Sequence, residues 1–163
     1  MLDRNLKAIF TALLGLMALF YVLQNFANRE AAYGAMGYVL SLQDHEGFTN
    51  NLFPALGSPV THLAAWIVFA FELATGIVLL WGAWRLWSAR KADAAEYRAA
   101  TATARLGAGL AVITWFGLFG VLGGAAYQMW QTEVGSGSLN DAFKFSVWGF
   151  LLLIYLGQRE ELA

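Results

Sequence analysis

Apolar residues occur along the chain in four long runs separated by shorter, more polar stretches. The runs cover about residues 8–27, 59–87, 106–128 and 142–158. At a rise of about 1.5 Å per residue, roughly 20 apolar residues in a helix cross the hydrocarbon core of a bilayer. The pattern therefore predicts an all-α membrane protein, a single domain built as a bundle of four transmembrane helices.

The second run shows how such a helix begins and ends. Ser58 and Pro59 at its start are typical of a helix N-terminus. Its other end combines tryptophans with cations, as expected at the headgroup layer of a membrane. We predict interface anchors there and at the ends of the third and fourth runs: Trp81, Trp84, Arg85, Trp87, Trp130 and Lys144.

The lysines and arginines predict how the helices are oriented. Eight of the ten flank the runs on one side, and only Arg29 and Lys144 lie on the other. The eight are Arg4, Lys7, Arg85, Arg90, Lys91, Arg98, Arg105 and Arg159. Because basic residues are enriched in cytoplasmic loops, we expect both termini to lie in the cytoplasm. Residues 28–58 and 129–141 then form outer loops, and residues 88–105 form a cytoplasmic loop.

Local patterns predict further structure in the loops. Within residues 29–42, Tyr33, Met36, Gly37 and Leu40 share one side at helical spacing, which predicts a short helix lying on the membrane surface. Residues 88–105 are rich in alanine and charge, so we expect them to extend the flanking helices with a turn between them. The Gly-Ser-Gly-Ser segment at 135–138 predicts a flexible turn before a helix capped by Ser138 or Asn140.

Composition excludes several classes of protein. The chain of 163 residues is 59% hydrophobic and 13% charged with a mean hydropathy of +0.54, whereas an ordinary soluble domain has about 25% charged residues. The net charge of -1 leaves no basic excess for a nucleic acid. The absence of cysteine excludes disulfides, cysteine-ligated zinc, iron–sulfur clusters and a cysteine nucleophile.

Glu72 is the most informative single residue, because it lies near the middle of the second run, where an isolated carboxylate is costly. We expect it to face protein, water or a partner. The residues at helical spacings from it are mostly small, namely Thr61, Ala65, Val68, Thr75, Gly76 and Leu79. Such a face packs closely against another helix. Glu72 with Thr75 is then either an intramembrane polar anchor, which we favour, or a proton or cation site.

Both histidines belong to the predicted outer side. His45 and His62, with Asp44 and Glu46, could together supply the imidazole and carboxylate ligands of a metal site. No HxxxH or HxxE spacing places two such ligands on one helical face. We therefore favour hydrogen-bonding loop histidines, and expect no resident metal and no cofactor besides the surrounding lipids.

Six glycines occur in the third run and its approach: Gly107, Gly109, Gly117, Gly120, Gly123 and Gly124. Gly120 and Gly124 form a small-xxx-small pair, which allows two helix backbones to approach closely. Together with Gly76 and Ala65 of the second run, they predict helix-packing surfaces. The contact could be with another helix of this bundle or with another protein.

Several segments of the chain resemble a bacterial family of predicted small integral membrane proteins, a domain of unknown function. They are residues 62–66 (His-Leu-Ala-Ala-Trp), 72–76 (Glu-Leu-Ala-Thr-Gly), 82–87 (Gly-Ala-Trp-Arg-Leu-Trp), 129–131 (Met-Trp-Gln) and 142–145 (Ala-Phe-Lys-Phe). The resemblance implies a four-helix protein of the inner membrane and assigns no activity. Family members usually carry a histidine before Val-Leu-Ser, where this chain has Tyr38, so no histidine site is transferred.

These observations favour a non-enzymatic protein. We expect an accessory or structural subunit that packs against a larger membrane complex, respiratory or photosynthetic. Its partners would be the lipid bilayer and either other membrane-protein subunits or further copies of itself. The first alternative is a small oligomeric transporter or channel that binds a proton or cation at Glu72. The second alternative is a metal-binding protein of the outer surface.

Overall fold

Four helices that are long and apolar enough to cross a membrane run through the computed structural model, which describes residues 1–158. Every regular element within these residues is helical, so the predicted fold class is confirmed. The α-helices are α1 (Leu2–Ala27), α2 (Arg29–Leu40), α3 (Ser58–Ser88), α4 (Ala94–Val112) and α5 (Glu133–Gly157). Arg159, which entered the prediction of orientation, lies outside the described residues.

Neighbouring spans pack in chain order, with α3 between α1 and α4, and with α5 against α4. Residues near Met1, the turn after α3 and Gln158 meet at one end of the bundle, here called the terminal end. The opposite end, here called the loop end, holds residues 41–57 and 127–132. Both described ends of the chain therefore lie on one side, and the assignment of that side to the cytoplasm stays a prediction.

The third span is longer than predicted and changes its helical form. α4 begins at Ala94, where the Asp93 carboxylate accepts hydrogen bonds from the amides of Ala95 and Glu96 at 2.9 Å. This confirms the expected turn within residues 88–105, because both flanking helices extend into that segment. Beyond Val112 the chain continues as a π-helix, Ile113–Ala126. A π-helix of this length is rare, and four glycines within it reduce side-chain crowding along the wider coil.

Helix α5 begins earlier than the sequence predicted. α5 begins at Glu133, nine residues before position 142, and Thr132 rather than Ser138 or Asn140 caps it. The Thr132 hydroxyl accepts a hydrogen bond from the Gly135 amide at 3.0 Å. The predicted flexible turn at 135–138 is wrong, because this segment forms the first turns of the helix. A side chain at position 135 would clash with the Met129 carbonyl, so the glycine permits a close approach.

Helix α2 confirms the short helix predicted in the first loop. Its Tyr33 and Met36 pack against a cluster formed by Val22 of α1 with Ala65 and Phe69 of α3. The side predicted to be apolar therefore contacts α3. Whether α2 also lies along a membrane surface stays a prediction.

Charged side chains connect the helices at the terminal end. The sequence analysis had used Arg4 and Lys7 only to predict the orientation of the helices. Lys7 is 2% exposed, and its ammonium lies 2.9 Å from the Asp3 carboxylate. Asp3 also accepts a 2.6 Å hydrogen bond from the Tyr155 hydroxyl. Arg4 donates a 2.7 Å hydrogen bond to the carbonyl of Ala92. These contacts hold the start of α1 against α5 and against the turn between α3 and α4.

Close packing of α3 depends on glycines. A Cβ at Gly76 would lie 2.6 Å from Leu19 of α1, and a Cβ at Gly82 would lie 2.6 Å from the Ala104 backbone of α4. At Gly82 the neighbour is backbone, so a helix would have to move, whereas at Gly76 the Leu19 side chain would have to shift. At Gly109, in contrast, an added Cβ meets nothing within 4 Å.

Gly82→Ala should therefore destabilise the bundle by about 1 to 3 kcal/mol, the usual cost of overpacking. Gly109→Ala is the matched control. Because it relieves the conformational cost of a helical glycine without a clash, it should stabilise by about 0.5 to 1 kcal/mol. Unfolding in mixed micelles, followed by helical circular dichroism, measures both effects. Equal stability of the two variants would contradict the packing described here.

Candidate functional site

Glu72 is buried in the bundle, 2% exposed, on the face of α3 that the sequence predicted. All six residues assigned to its face are buried as well: Thr61, Ala65, Val68, Thr75, Gly76 and Leu79. The carboxylate lies 14 residues from Ser58 at the start of the helix and 16 from Ser88 at its end. Glu72 is therefore an intramembrane carboxylate enclosed by protein.

The protein supplies a hydrogen bond to this carboxylate from another helix. The Asn25 side-chain amide, in the last turns of α1, donates to Oε2 of Glu72 at 2.9 Å. The close approach of α1 and α3 at Gly76 brings these two residues together. Since hydrocarbon offers no hydrogen-bonding partner, an amide donor is what a buried acid at this depth requires.

One turn nearer the terminal end, a second polar contact joins α3 to the third span. The hydroxyls of Thr75 and Thr114 lie 3.1 Å apart, and both side chains are fully buried. Thr114 also donates a hydrogen bond to the Leu110 carbonyl at 2.8 Å. In the contact between the two threonines, the Thr75 hydroxyl can therefore donate and the Thr114 oxygen can accept. Asn25, Glu72, Thr75 and Thr114 thus form a polar layer, by which term we denote these four residues.

A cavity of about 350 Å³ adjoins the polar layer on its loop-end side. Asn25 contributes to its wall, which is otherwise almost wholly apolar and comes from α2, α3, the π-helix and α5. The π-helix supplies Leu118, Phe119 and Leu122. This volume is within the range of small-molecule sites, and π-helical segments frequently occur at functional sites.

The structure does not bring together the candidate metal ligands Asp44, His45, Glu46 and His62. Within residues 1–158, no group of three or more histidine or acidic side chains is placed to hold a metal ion. His62 instead stacks on Tyr33 with ring centroids 4.5 Å apart. Asp44 accepts a 2.6 Å hydrogen bond from the Tyr38 hydroxyl, and this bond raises the pKa of Tyr38. Glu46 takes no part in a ligand cluster, so no binding set forms around these residues.

His45 differs from the expected hydrogen-bonding loop histidine. It is buried, and neither ring nitrogen has a hydrogen-bonding partner among residues 1–158. The loop around it includes Leu42 and Asp44 in the left-handed region, with φ of 61° and 55°. Such backbone conformations are uncommon for residues other than glycine.

Of the two glycines predicted to form a packing pair on the third span, only Gly124 packs against another helix. A Cβ at Gly124 would lie 3.2 Å from Leu139 of α5, so this glycine does pack between helices. A Cβ at Gly120 would meet only Phe116 of its own helix. Of the other two predicted packing residues, Gly76 lies against Leu19 of α1, and Ala65 is fully buried in a cluster with Phe69.

The predicted interface anchors fall into two groups. Trp81, Trp84, Trp87 and Trp130 are exposed on the outside of the bundle, as anchors require. Arg85 donates a 2.6 Å hydrogen bond to the Thr103 hydroxyl, so it also ties α3 to α4. Lys144 does not lie near the start of its helix, because α5 begins eleven residues earlier.

Sequence reasoning missed Asn25, Thr114 and the buried state of Lys7. Asn25 is one of few polar residues in the charge-free first run, and that was the available signal. Thr114 is similarly a lone hydroxyl among apolar residues. Their partners are 47 and 39 residues away along the chain, a separation that local patterns do not resolve.

The comparison with protein families matches residues 3–159 to the family described as predicted small integral membrane protein (DUF2165). The match covers nearly the whole chain. The chain belongs to this family. The resemblance of the five sequence segments is thereby confirmed, as is the description of the chain as an integral membrane protein with several spans. No curated protein and no solved structure matches the chain significantly.

Replacing Glu72 tests the Asn25 contact directly. Glu72→Gln keeps a carbonyl acceptor for the Asn25 amide and should change the free energy of unfolding little. Glu72→Leu leaves the amide unpaired and should cost about 1 to 2 kcal/mol. The double variant Glu72→Leu/Asn25→Leu should recover part of that loss, measured by unfolding in mixed micelles. Equal tolerance of the Gln and Leu exchanges would count against a hydrogen-bonded anchor.

Proposed function

We propose that this protein is a non-enzymatic accessory subunit of a larger membrane complex, respiratory or photosynthetic. In this proposal it resides in the bacterial inner membrane with the terminal end in the cytoplasm. The basic residues near Met1 and in the turn after α3 support that orientation. Glu72 acts in it as a buried structural anchor, which its hydrogen bond to Asn25 supports.

The observation that carries this proposal is a glycine surface on the third span that no other helix of the bundle uses. Among the residues that the structure describes, a Cβ at Gly109 would meet nothing within 4 Å, and one at Gly117 would meet only Ile113 of its own helix. Glycine within a helix costs about 0.5 to 1 kcal/mol relative to alanine. Small residues at membrane depth are typical of surfaces where another helix approaches closely. A partner helix at this surface explains why two glycines are present without an internal contact.

Enlarging these glycines should weaken assembly without harming the fold. The double variant Gly109→Leu/Gly117→Leu fills space that is open in the isolated chain. We expect the tagged variant to fold, and its stoichiometric co-migration with the partner complex to fall at least tenfold after gentle solubilisation of native membranes. Native electrophoresis followed by mass spectrometry measures this.

Ala70→Leu, on an exposed position of α3, is the matched control and should leave co-migration intact. If wild-type protein migrates without any other protein, the accessory role is wrong. If the glycine variant co-migrates as well as the control, the glycine surface is not the contact.

A small oligomeric transporter is the second candidate, because the cavity reaches Asn25, the hydrogen-bonding partner of Glu72. A proton or cation entering from the loop end would meet the carboxamide first and the carboxylate behind it. Carboxylates inside membranes frequently mark such pathways.

In proteoliposomes this candidate predicts pH-dependent flux of protons or monovalent cations. Glu72→Gln should abolish the flux while preserving the fold, because it removes the ionisable group and keeps the hydrogen-bond acceptor. Thr101→Ser, a conservative exchange at a buried threonine outside the polar layer, is the control. The absence of flux from wild-type protein would remove this candidate.

A further inference from the structure

Helix α5 carries an ion pair on the outside of the bundle. The Lys144 ammonium lies 2.9 Å from the Asp141 carboxylate. The two side chains are 50% and 55% exposed. Unlike Glu72, neither charge is enclosed by the helices of this chain.

Contacts with neighbouring helices establish the depth of this pair. Phe145, next to Lys144, packs its ring on Trp115 with centroids 5.4 Å apart. Thr114, next to Trp115, contacts Thr75 of α3 at 3.1 Å. Lys144 is therefore level with Thr75.

The tryptophans of α3 place this level within the membrane. Thr75 is nine residues from Trp66 and nine from Trp84, both of which are exposed. Nine helical residues correspond to about 14 Å, close to half the thickness of the hydrocarbon core. Lys144 itself lies 11 residues from Glu133 and 13 from Gly157, the two ends of a helix long and apolar enough to cross a membrane. Its backbone therefore lies near the middle of the span, with Asp141 one turn nearer the loop end.

An exposed charge at this depth is costly when lipid surrounds it, and membrane proteins direct such groups toward protein or water. The surface around Asp141 and Lys144 is therefore one that lipid does not cover in the working protein. Tyr21 of α1 flanks it, with its ring 4.8 Å from that of Phe145.

The ion pair continues as a stripe along α5. Asp141, Lys144, Trp148, Leu151 and Tyr155 follow one another at spacings of four and three residues, so they share one side of the helix. Trp148, Leu151 and Tyr155 form one wall of an open apolar groove of about 520 Å³, and α1 forms the other wall. The ion pair and the groove thus belong to a single surface, here called the α1–α5 face.

We infer that the α1–α5 face binds a second copy of this chain, related by a two-fold axis along the membrane normal. Such symmetry brings the same stripe of both copies together. An acid and a base one turn apart on one stripe are then self-complementary, because Asp141 of each copy meets Lys144 of the other. The apolar residues of the stripe extend the contact toward the terminal end. This inference does not rest on the accessory role, which concerns the third span.

Charge variants that cannot pair with themselves test the contact. Lys144→Asp produces a copy with two acids on the stripe, and Asp141→Lys produces a copy with two bases. In bilayers of phosphatidylethanolamine and phosphatidylglycerol, single-molecule photobleaching should show dimers of wild-type protein. Each variant alone should associate at least tenfold more weakly. A mixture of the two should recover association, which an ion pair within one chain would not produce.

The absence of cysteine allows a second test that leaves the charges intact. Leu151→Cys, on the stripe, should form a disulfide between copies on mild oxidation, since the two-fold places the Leu151 positions opposite each other. Phe143→Cys is the control, because Phe143 is equally exposed but lies about 100° around the helix from Lys144. It should remain largely unlinked.

Monomeric wild-type protein in the bilayer would overturn the inference. Failure of the mixed charge variants to associate, or equal cross-linking at positions 143 and 151, would also overturn it. If the face instead becomes protected only when a different membrane protein is bound, the second copy is the wrong occupant. Helical circular dichroism of each variant checks that lost association is not lost folding.

Discussion

A carboxylate within hydrocarbon must be hydrogen-bonded by the protein, and much of this bundle is arranged around that requirement. Glu72 accepts its hydrogen bond from Asn25, so α1 and α3 must approach closely enough for two short side chains to meet. Gly76 allows this approach, because a Cβ there would collide with Leu19. The same face of α3 then carries Thr75, whose contact with Thr114 positions the third span. Small and polar residues therefore lie where α3 contacts both of its neighbouring helices, as expected where lipid and core are equally apolar.

The sequence predicted most features of the fold that depend on local composition and on the helical spacing of residues. Four apolar runs predicted the spans because length and hydropathy are properties of contiguous residues. The buried face of α3 followed from helical spacing around Glu72. The start of α5 did not follow, because Gly-Ser-Gly-Ser resembles a loop and its helical state depends on the Thr132 cap and on a close approach to Met129. Asn25 was missed for a related reason, since its importance comes from a partner 47 residues away.

The third span illustrates why glycines cannot be assigned from spacing alone. Gly107 packs against Leu79 and Gly124 against Leu139, whereas Gly109 has open space beside it. Gly120 and Gly124 both lie in the π-helix that follows Val112. Their surroundings differ although their separation is that of a packing pair, because Leu139 of α5 lies beside Gly124 whereas only Phe116 of the same helix lies beside Gly120.

The corrected start of α5 also changes the meaning of Lys144. With a helix beginning at about 142, Lys144 would be at an interface, where a long cationic side chain reaches water at little cost. With the helix beginning at Glu133, the same residue lies level with Thr75, and its charge needs a partner within the membrane. Asp141 supplies one partner, but half of each side chain remains uncovered. Glu72 and Lys144 thus face the same physical requirement. Glu72 meets it inside the bundle through Asn25, and in the dimer that we infer, Lys144 meets it at the α1–α5 face through a second copy of the chain.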